Sequence, residues 1–340
     1  MAQIELGRGD LLDRHGRLVE RGWARNEARR YSRAAVGASG FRIKEWDYYC
    51  VLSDTFGIAL TVADNGYLGF LSVTWFDFAK PSAVTESVML PFPMGRMAMP
   101  ESADSGDVLQ SHPKLKLAFR HEGDGRVLRI DCPSFLGGKG LSGELHLAKP
   151  PMDRMTIATP FPNAPKAFYY NQKINCMPAR GVVKVAGEPF IFEPKSAFGV
   201  LDWGRGVWTY HNRWYWGSAS GLLNGVRFGF NIGHGFGDTS AASENMLFYG
   251  SEIHKLDEVT FHLPNGTFDG APWTFSSNDK RFEMTFVPII DRASSVDVKI
   301  IRSIQHQVFG RFTGAAVLDD GRALKLDGFL GFAEEVENKW

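Results

Sequence analysis

The chain has 340 residues, of which 44% are hydrophobic, and its 38 Lys plus Arg balance 38 Asp plus Glu. That length carries about two domains, and the balanced charge lacks the electrostatic footprint of a duplex nucleic-acid binder or a polybasic membrane binder. Twenty-six Phe, nine Trp and nine Tyr beside 37 Gly favour strands and tight turns in a folded globular chain.

Read from the N-terminus, Met1 to Asp10 has no basic segment leading into an apolar core, so no signal peptide is expected. No apolar stretch reaches the ~20 residues that cross a bilayer. The three cysteines, Cys50, Cys132 and Cys176, form no CxxC pair. A disulfide framework or zinc ribbon is therefore not expected, and a soluble protein of the reducing cytoplasm is. Helical periodicity is scarce. Its best candidate is Leu18 to Ala35, within the basic stretch that carries Arg14, Arg17, Arg21, Arg25, Arg29, Arg30 and Arg33. Asp13, Glu20 and Glu27 interrupt that charge, which favours a solvated strap across a barrel over a surface for an anionic ligand.

Strands fill the rest. Asn65-Gly66, Asp124-Gly125, Asn224-Gly225, Asn265-Gly266 and Asp320-Gly321 are hairpin signals, because both residues tolerate the positive φ of a type I′ turn. Leu115, Leu117 and Phe119 alternate with polar neighbours before the second pair, and Leu128, Ile130 and Cys132 do so after it. Phe282, Met284 and Phe286 repeat the pattern, as do Val296, Val298 and Ile300. A period of two places one face in the core and the other in water, as in antiparallel sheets and barrels. Without regular βα alternation a doubly wound α/β fold is not expected. Pro160, Pro162, Pro165 and Pro178 crowd the middle of the chain, and Pro189 and Pro194 bracket Phe190 to Glu193. The expected division falls there, into residues 1–195 and 196–340, each an all-β domain.

The densest chemistry lies between Asp202 and Asn245. Fourteen residues hold Trp203, Trp208, Trp214 and Trp216 together with Arg205, Tyr210 and His211, and Asp202 comes just before them. A carboxyl among indole rings loses hydration, which suits a proton donor, while a neighbouring guanidinium holds it ionised. One reading makes Asp202 and Arg205 catalytic, with Tyr210 or His211 as a relay. The other makes them a buried pair that braces a turn between Gly204 and Gly206, with the tryptophans as core. Neighbours on a regular strand face opposite ways, so Asp202 and Trp203 share a cavity only if those glycines form a bulge.

Downstream, Gly233, Gly235 and Gly237 superficially suggest a dinucleotide loop, but no helix follows, and nucleotide binding is not expected. His234, Asp238 and Glu244 have metal-ligand side chains without metal-site spacing, and His254 adds no pattern. Asn231, Asp238, Glu244 and Asn245 are expected to satisfy backbone groups around the glycine loop. Trp203, Trp208, Trp214, Trp216, Asn231, His234, Asp238 and Glu244 are the candidate substrate-binding residues. Gly217-Ser-Ala-Ser-Gly places alanine where a nucleophile elbow needs serine, and no P-loop or HExxH occurs. No metal, nucleotide or flavin cofactor is expected.

Leu201-Asp-Trp-Gly-Arg-Gly, Trp214-Tyr-Trp, Asn231-Ile-Gly-His-Gly-Phe-Gly-Asp, Glu244-Asn and His254-Lys-Leu together resemble a bacterial domain-of-unknown-function family. Gly16-Arg-Leu, Gly22-Trp-Ala-Arg, Lys44-Glu-Trp-Asp-Tyr-Tyr and Gly331-Phe-Ala-Glu extend the resemblance over nearly the whole chain. More distantly the chain is similar to hydroxyneurosporene synthase (carotenoid 1,2-hydratase) and to tandem lipocalin-like proteins, among them pericyclic cyclases and lipid binders. The resemblance implies two consecutive lipocalin-like antiparallel β-barrels, a preference for apolar ligands, and Asp202 as the counterpart of an acidic residue in an aromatic pocket.

Three functions fit these residues. The first is a cofactor-free hydratase, lyase, isomerase or cyclase acting on an apolar, unsaturated, isoprenoid or aromatic substrate. In it Asp202 is the acid, and the indole faces stabilise developing cation. The second is a non-catalytic lipid or isoprenoid binder with the same cavity. The third is an enzyme on a carbohydrate or polar aromatic substrate, since tryptophan platforms beside Asp202, Asp238 and Glu244 also suit sugars. All three need only a small-molecule partner.

Overall fold

A computed structural model describes residues 3–264, 268, 270–297 and 302–339. Among them the regular secondary structure is almost all strand. The exceptions are a helical turn at Phe135–Gly138 and a 3₁₀ turn at Arg33–Ala35. The strands form a thirteen-stranded sheet and a nine-stranded sheet, beside a small parallel pair, Gly9–Asp10 with Arg29–Arg30. One large sheet is a nearly closed barrel and the other a half-barrel.

Hairpin chemistry positions the strands as expected in most places. Asn65 and Gly66 join Phe56–Asp64 to Leu68–Asp77, and Asn224 and Gly225 form the two-residue connection between His211–Leu223 and Val226–His234. Both central residues of the latter have positive φ, 53° and 79°, as a type I′ turn demands. At the second signal the turn lies one residue earlier than expected, on Gly123 and Asp124, with Gly125 already paired to Glu122. Asp320 and Gly321 turn the chain between Arg302–Val317 and Ala323–Lys339. Asn265-Gly266 lies outside the described residues, as do Val298 and Ile300. Val296, whose alternation suggested a buried face, is instead 42% exposed, because Phe282–Asp297 runs beyond the core.

Two further expectations are corrected. Leu18 to Ala35 is no helix; it is an extended strap that pairs Gly22–Ala24 with Met155–Phe161. Its arginines are answered locally: Arg29 by Glu20, Arg30 by Asp10 and Arg33 by Glu45. Such spacing of opposite charge removes the repulsion that an isolated basic segment would carry. The chain also changes sheet later than residue 195. Phe198–Val207 lies between Ile43–Leu52 and Ala164–Val185 in the first sheet, and the second sheet begins at His211. Pro189 lies on the short strand Glu188–Phe192, which pairs with Ala164–Val185 in the first sheet, and Pro194 lies in the turn that follows it.

The two sheets meet face to face. On the first sheet, Tyr49, Trp203 and Tyr170 turn inward to a core with Phe119, while Tyr48 turns outward and meets Trp216 edge-on, 5.9 Å between rings. On the second, Phe228, Phe230 and Ile232 pack into the sheet's own core, whereas Trp216 and Phe332 turn toward the first sheet. Burial on both faces explains why these central strands do not alternate in polarity. The seam between the sheets is where polar residues collect.

Candidate functional site at the seam of the two sheets

Strand Phe198–Val207 is regular at Asp202, with no bulge against Ile43–Leu52, so its side chains strictly alternate. Asp202 therefore faces the seam, and Trp203 and Arg205 face the interior of the first sheet. This corrects the expectation that Trp203 and Arg205 line a cavity with Asp202. It also removes the proposed Asp202–Arg205 brace. Arg205 pairs with Asp47 at 3.0 Å, and its other N–H groups donate to the carbonyls of Pro100, Trp46 and Gly204.

Register brings Asp202 opposite Lys173 on one side and Tyr48 on the other, with Asn171 and Trp46 one row away across Gly204. Lys173 Nζ lies 2.9 Å from Asp202 Oδ1, to which Asn171 Nδ2 also donates at 2.6 Å. Trp46 Nε1 donates to Oδ2 at 3.2 Å. Gly204 makes the last contact possible, because a Cβ there would overlap the Trp46 indole. The Lys173 ammonium also sits over the Trp216 ring, 3.9 Å from its centroid. Such a contact is strengthened by desolvation, and Lys173 is only 1% exposed.

Two more carboxyls close the cluster from the second sheet. Glu244 is buried, and the loss of hydration pushes its pKa up to about 7, against the pull of Lys173 and with the push of Asp202. Tyr169 Oη donates to its Oε2 at 3.4 Å, while Oε1 has no partner among the described residues. Glu334 is likewise raised to about 7 by burial. Trp214 Nε1 donates to one of its oxygens at 3.1 Å and Gln307 Nε2 to the other at 3.0 Å. Trp208 packs edge-on against Trp46, Tyr169 and Trp214, and Phe236 stacks on Tyr169 at 4.8 Å. The result is a buried ammonium and carboxylate beside two carboxyls that exchange protons near neutrality, walled by indole and phenol rings.

The remaining candidates divide. Trp208, Trp214 and Trp216 reach the seam. Tyr210 and His211 lie at the exposed crossing between the sheets, where His211 Nε2 approaches Glu337 Oε1 at 3.2 Å; a relay from there to Asp202 has no geometric support. His234 turns into the second core, stacked 4.6 Å from Tyr215, and burial pushes its pKa down. Asn231 and Asn245 satisfy backbone groups as expected. Asn231 donates to Glu244 O and accepts from Trp216 Nε1, and Asn245 accepts from Gly233 N. Asp238 accepts from Ser240 N and pairs with Arg21 at 2.9 Å, which ties the glycine loop to the strap. Glu244 departs from that structural group, since its carboxyl points into the seam.

Sequence reading missed Lys173, Asn171, Tyr169, Trp46, Glu334, Gln307 and Phe236. One signal was available: Tyr169, Asn171 and Lys173 share a parity in the strand Ala164–Val185. Among the described residues no three His, Cys, Asp or Glu side chains converge as a metal set. A cleft of about 440 Å³ by Asp104, His121, Arg126 and Lys149 contains none of the candidates.

Solved structures share the fold. A protein assigned as AttH from Nitrosomonas europaea is 15% identical, with 88% of this chain and 92% of that chain covered and a TM-score of 0.52. Kievitone hydratase from Nectria haematococca is 9% identical, with coverage of 87% and 88% and a TM-score of 0.50. No curated protein matches the chain in sequence. The profile of one family, described as a domain of unknown function and designated DUF2804, spans residues 2–340, and the chain belongs to that family.

Proposed function

We propose that the protein is a cofactor-independent acid/base enzyme of the hydratase, lyase, isomerase or cyclase type, acting at the seam on an apolar unsaturated or aromatic substrate. One observation carries this reading: Glu244, raised to about 7, lies within electrostatic reach of the Lys173–Asp202 pair inside an aromatic wall. A carboxyl with a pKa near the working pH is the best compromise between holding a proton and giving it up. Its partner-free Oε1 is where a substrate carbon would be presented. In this reading Glu244 protonates one alkene carbon, the indole faces stabilise the cation, and Asp202 holds Lys173 in place. Water, a neighbouring alkene or loss of an adjacent proton then resolves the cation, and the released proton returns to Glu244. The fold shared with a hydratase is consistent with such chemistry. Asp202, the acid favoured by sequence reading, becomes the anchor because Asn171, Trp46 and Lys173 already occupy its oxygens.

The test is deuterium exchange. Isoprenoid alkenes and prenylated phenols are incubated with the protein in deuterated water, and label uptake is read by mass spectrometry. Uptake into at least one compound is expected, with a loss of about 10²–10⁴-fold in Glu244→Gln at unchanged fold. Compounds that bind without exchange would make the protein a carrier, and a panel of sugars that alone shifts the melting curve would overturn the apolar substrate.

A further inference from the structure

The segment that carries Glu244 is held by its carbonyls. Lys255, on strand Glu252–Lys255, directs its ammonium at Ser243 O (2.7 Å), Ser243 Oγ (2.9 Å) and Asn245 O (2.9 Å), with Leu256 O at 3.3 Å. Asn231 Nδ2 takes the carbonyl between them, that of Glu244, at 2.9 Å. Three consecutive carbonyls are thus fixed by two side chains, and no carboxylate of the described residues forms an ion pair with this ammonium. A cation enclosed by neutral oxygens is expensive to bury, and burial pulls the Lys255 pKa down to about 7; keeping a lysine there asks for a reason beyond filling space.

We propose that Lys255 is a positioning residue for Glu244: its grip on Ser243 and Asn245 aims the Glu244 carboxyl at the seam, and its charge sets how readily that carboxyl gives up its proton. This rests on the reading of Glu244 as the proton carrier. Glu244 is faced by Lys173 and Asp202 from the first sheet, by the Tyr169 hydroxyl, and by Lys255 from behind. Lys255 is in turn faced by Glu244, Asp257 and Asp279, and by the Trp23 ring of the strap, 5.6 Å away. Burial pulls the Lys255 pKa down to about 7 and the Glu244 charge pushes it back up, so the two groups titrate together. While protonated, Lys255 is one of the two cations that favour ionised Glu244, and without it the Glu244 proton is held more tightly.

The experiment needs no substrate. The protonated carboxyl stretch of Glu244 is followed by infrared difference spectroscopy from pH 5 to 9 in the wild-type protein, Lys255→Met and Lys255→Arg, with Glu244→Gln assigning the band. An upward shift of the Glu244 midpoint by about half a unit to one unit is expected in Lys255→Met, largely reversed in Lys255→Arg. If Lys255→Met does not fold, Lys255→Gln, which keeps a donor and drops the charge, is read in the same way. An unchanged midpoint in a folded charge-free variant overturns the role of Lys255. The difference between variants tests that role wherever the wild-type midpoint lies. A wild-type midpoint in the ordinary carboxylate range would instead overturn the acid role of Glu244.

Discussion

One strand carries two buried ion pairs on opposite faces, and they are built differently. Arg205 faces the interior of the first sheet, where all five of its N–H donors find acceptors: Asp47 and the carbonyls of Pro100, Trp46 and Gly204. Three residues earlier, Asp202 faces the seam and meets Lys173, whose ammonium rests on an indole face within reach of two carboxyls raised to about 7. The first pair is saturated and the second is poised. A guanidinium with every donor used fixes geometry and has little left to offer a reacting molecule. An ammonium and carboxyls with spare hydrogen-bonding capacity, enclosed by rings, keep interactions available for a transition state. Burial alone therefore does not identify a site.

Breaking the saturated pair should have the largest effect. Arg205→Met strands Asp47 as a buried charge and should lower stability by about 3–5 kcal/mol, read by urea denaturation. Arg205→Lys should recover little of it, because an ammonium cannot replace five donors held in a planar fork.

The poised side should show itself in pH. Glu244 and Glu334 have folded pKa values of about 7, above the ordinary 4.5. A carboxyl raised on folding binds its proton more tightly in the folded state, so its contribution is full below about 4.5 and is lost as pH rises through about 7. The loss is on the order of 3 kcal/mol for each group if both act independently. Melting curves from pH 5 to 8 should therefore fall less steeply in a Glu244→Gln/Glu334→Gln protein than in the wild type, and equal slopes would contradict the assignment.

Gly204→Ala sharpens the comparison at one residue. Its methyl would displace the Trp46 indole from Asp202, at a cost of about 1–3 kcal/mol, with a changed tryptophan emission while the Arg205 side stays intact. The smallest effect is expected at the surface: Arg21→Gln, which breaks the exposed pair with Asp238, should change stability by less than about 1 kcal/mol.

Much of the architecture was legible because turn chemistry is local. Asn224-Gly225 specifies its two-residue turn through backbone conformation alone, and alternation at Leu115 to Cys132 reports a sheet with one wet face. The seam was not legible, because strands buried on both faces lose that alternation, and Lys173 among Asn171, Gln172 and Asn175 reads as part of a polar stretch until Asp202 pairs with it on the neighbouring strand. Proximity in sequence misled at Arg205 and Trp203, since a regular strand sends odd and even positions to different cores. Tyr210 and His211 failed as a relay for a related reason: the chain leaves the first sheet after Val207, and the crossing is solvated. The arginines of the strap were read correctly as a strap and incorrectly as helical, since a period near 3.6 in a basic segment carries no information once tertiary pairing takes over.

The most direct test makes the same chemical change on both faces of the strand's ion pairs: Asp47→Asn and Asp202→Asn, each measured for melting temperature and for exchange rate per folded molecule on a compound that the wild type labels. Asp47→Asn should lower the melting temperature strongly and leave the rate within about twofold. Asp202→Asn, which loosens the anchor of Lys173, should lose rate well beyond that twofold margin with a smaller drop in melting temperature, because Glu244 and Glu334 can ionise to answer Lys173. Loss of stability without loss of rate in Asp202→Asn would contradict the account and make the seam pair a second brace.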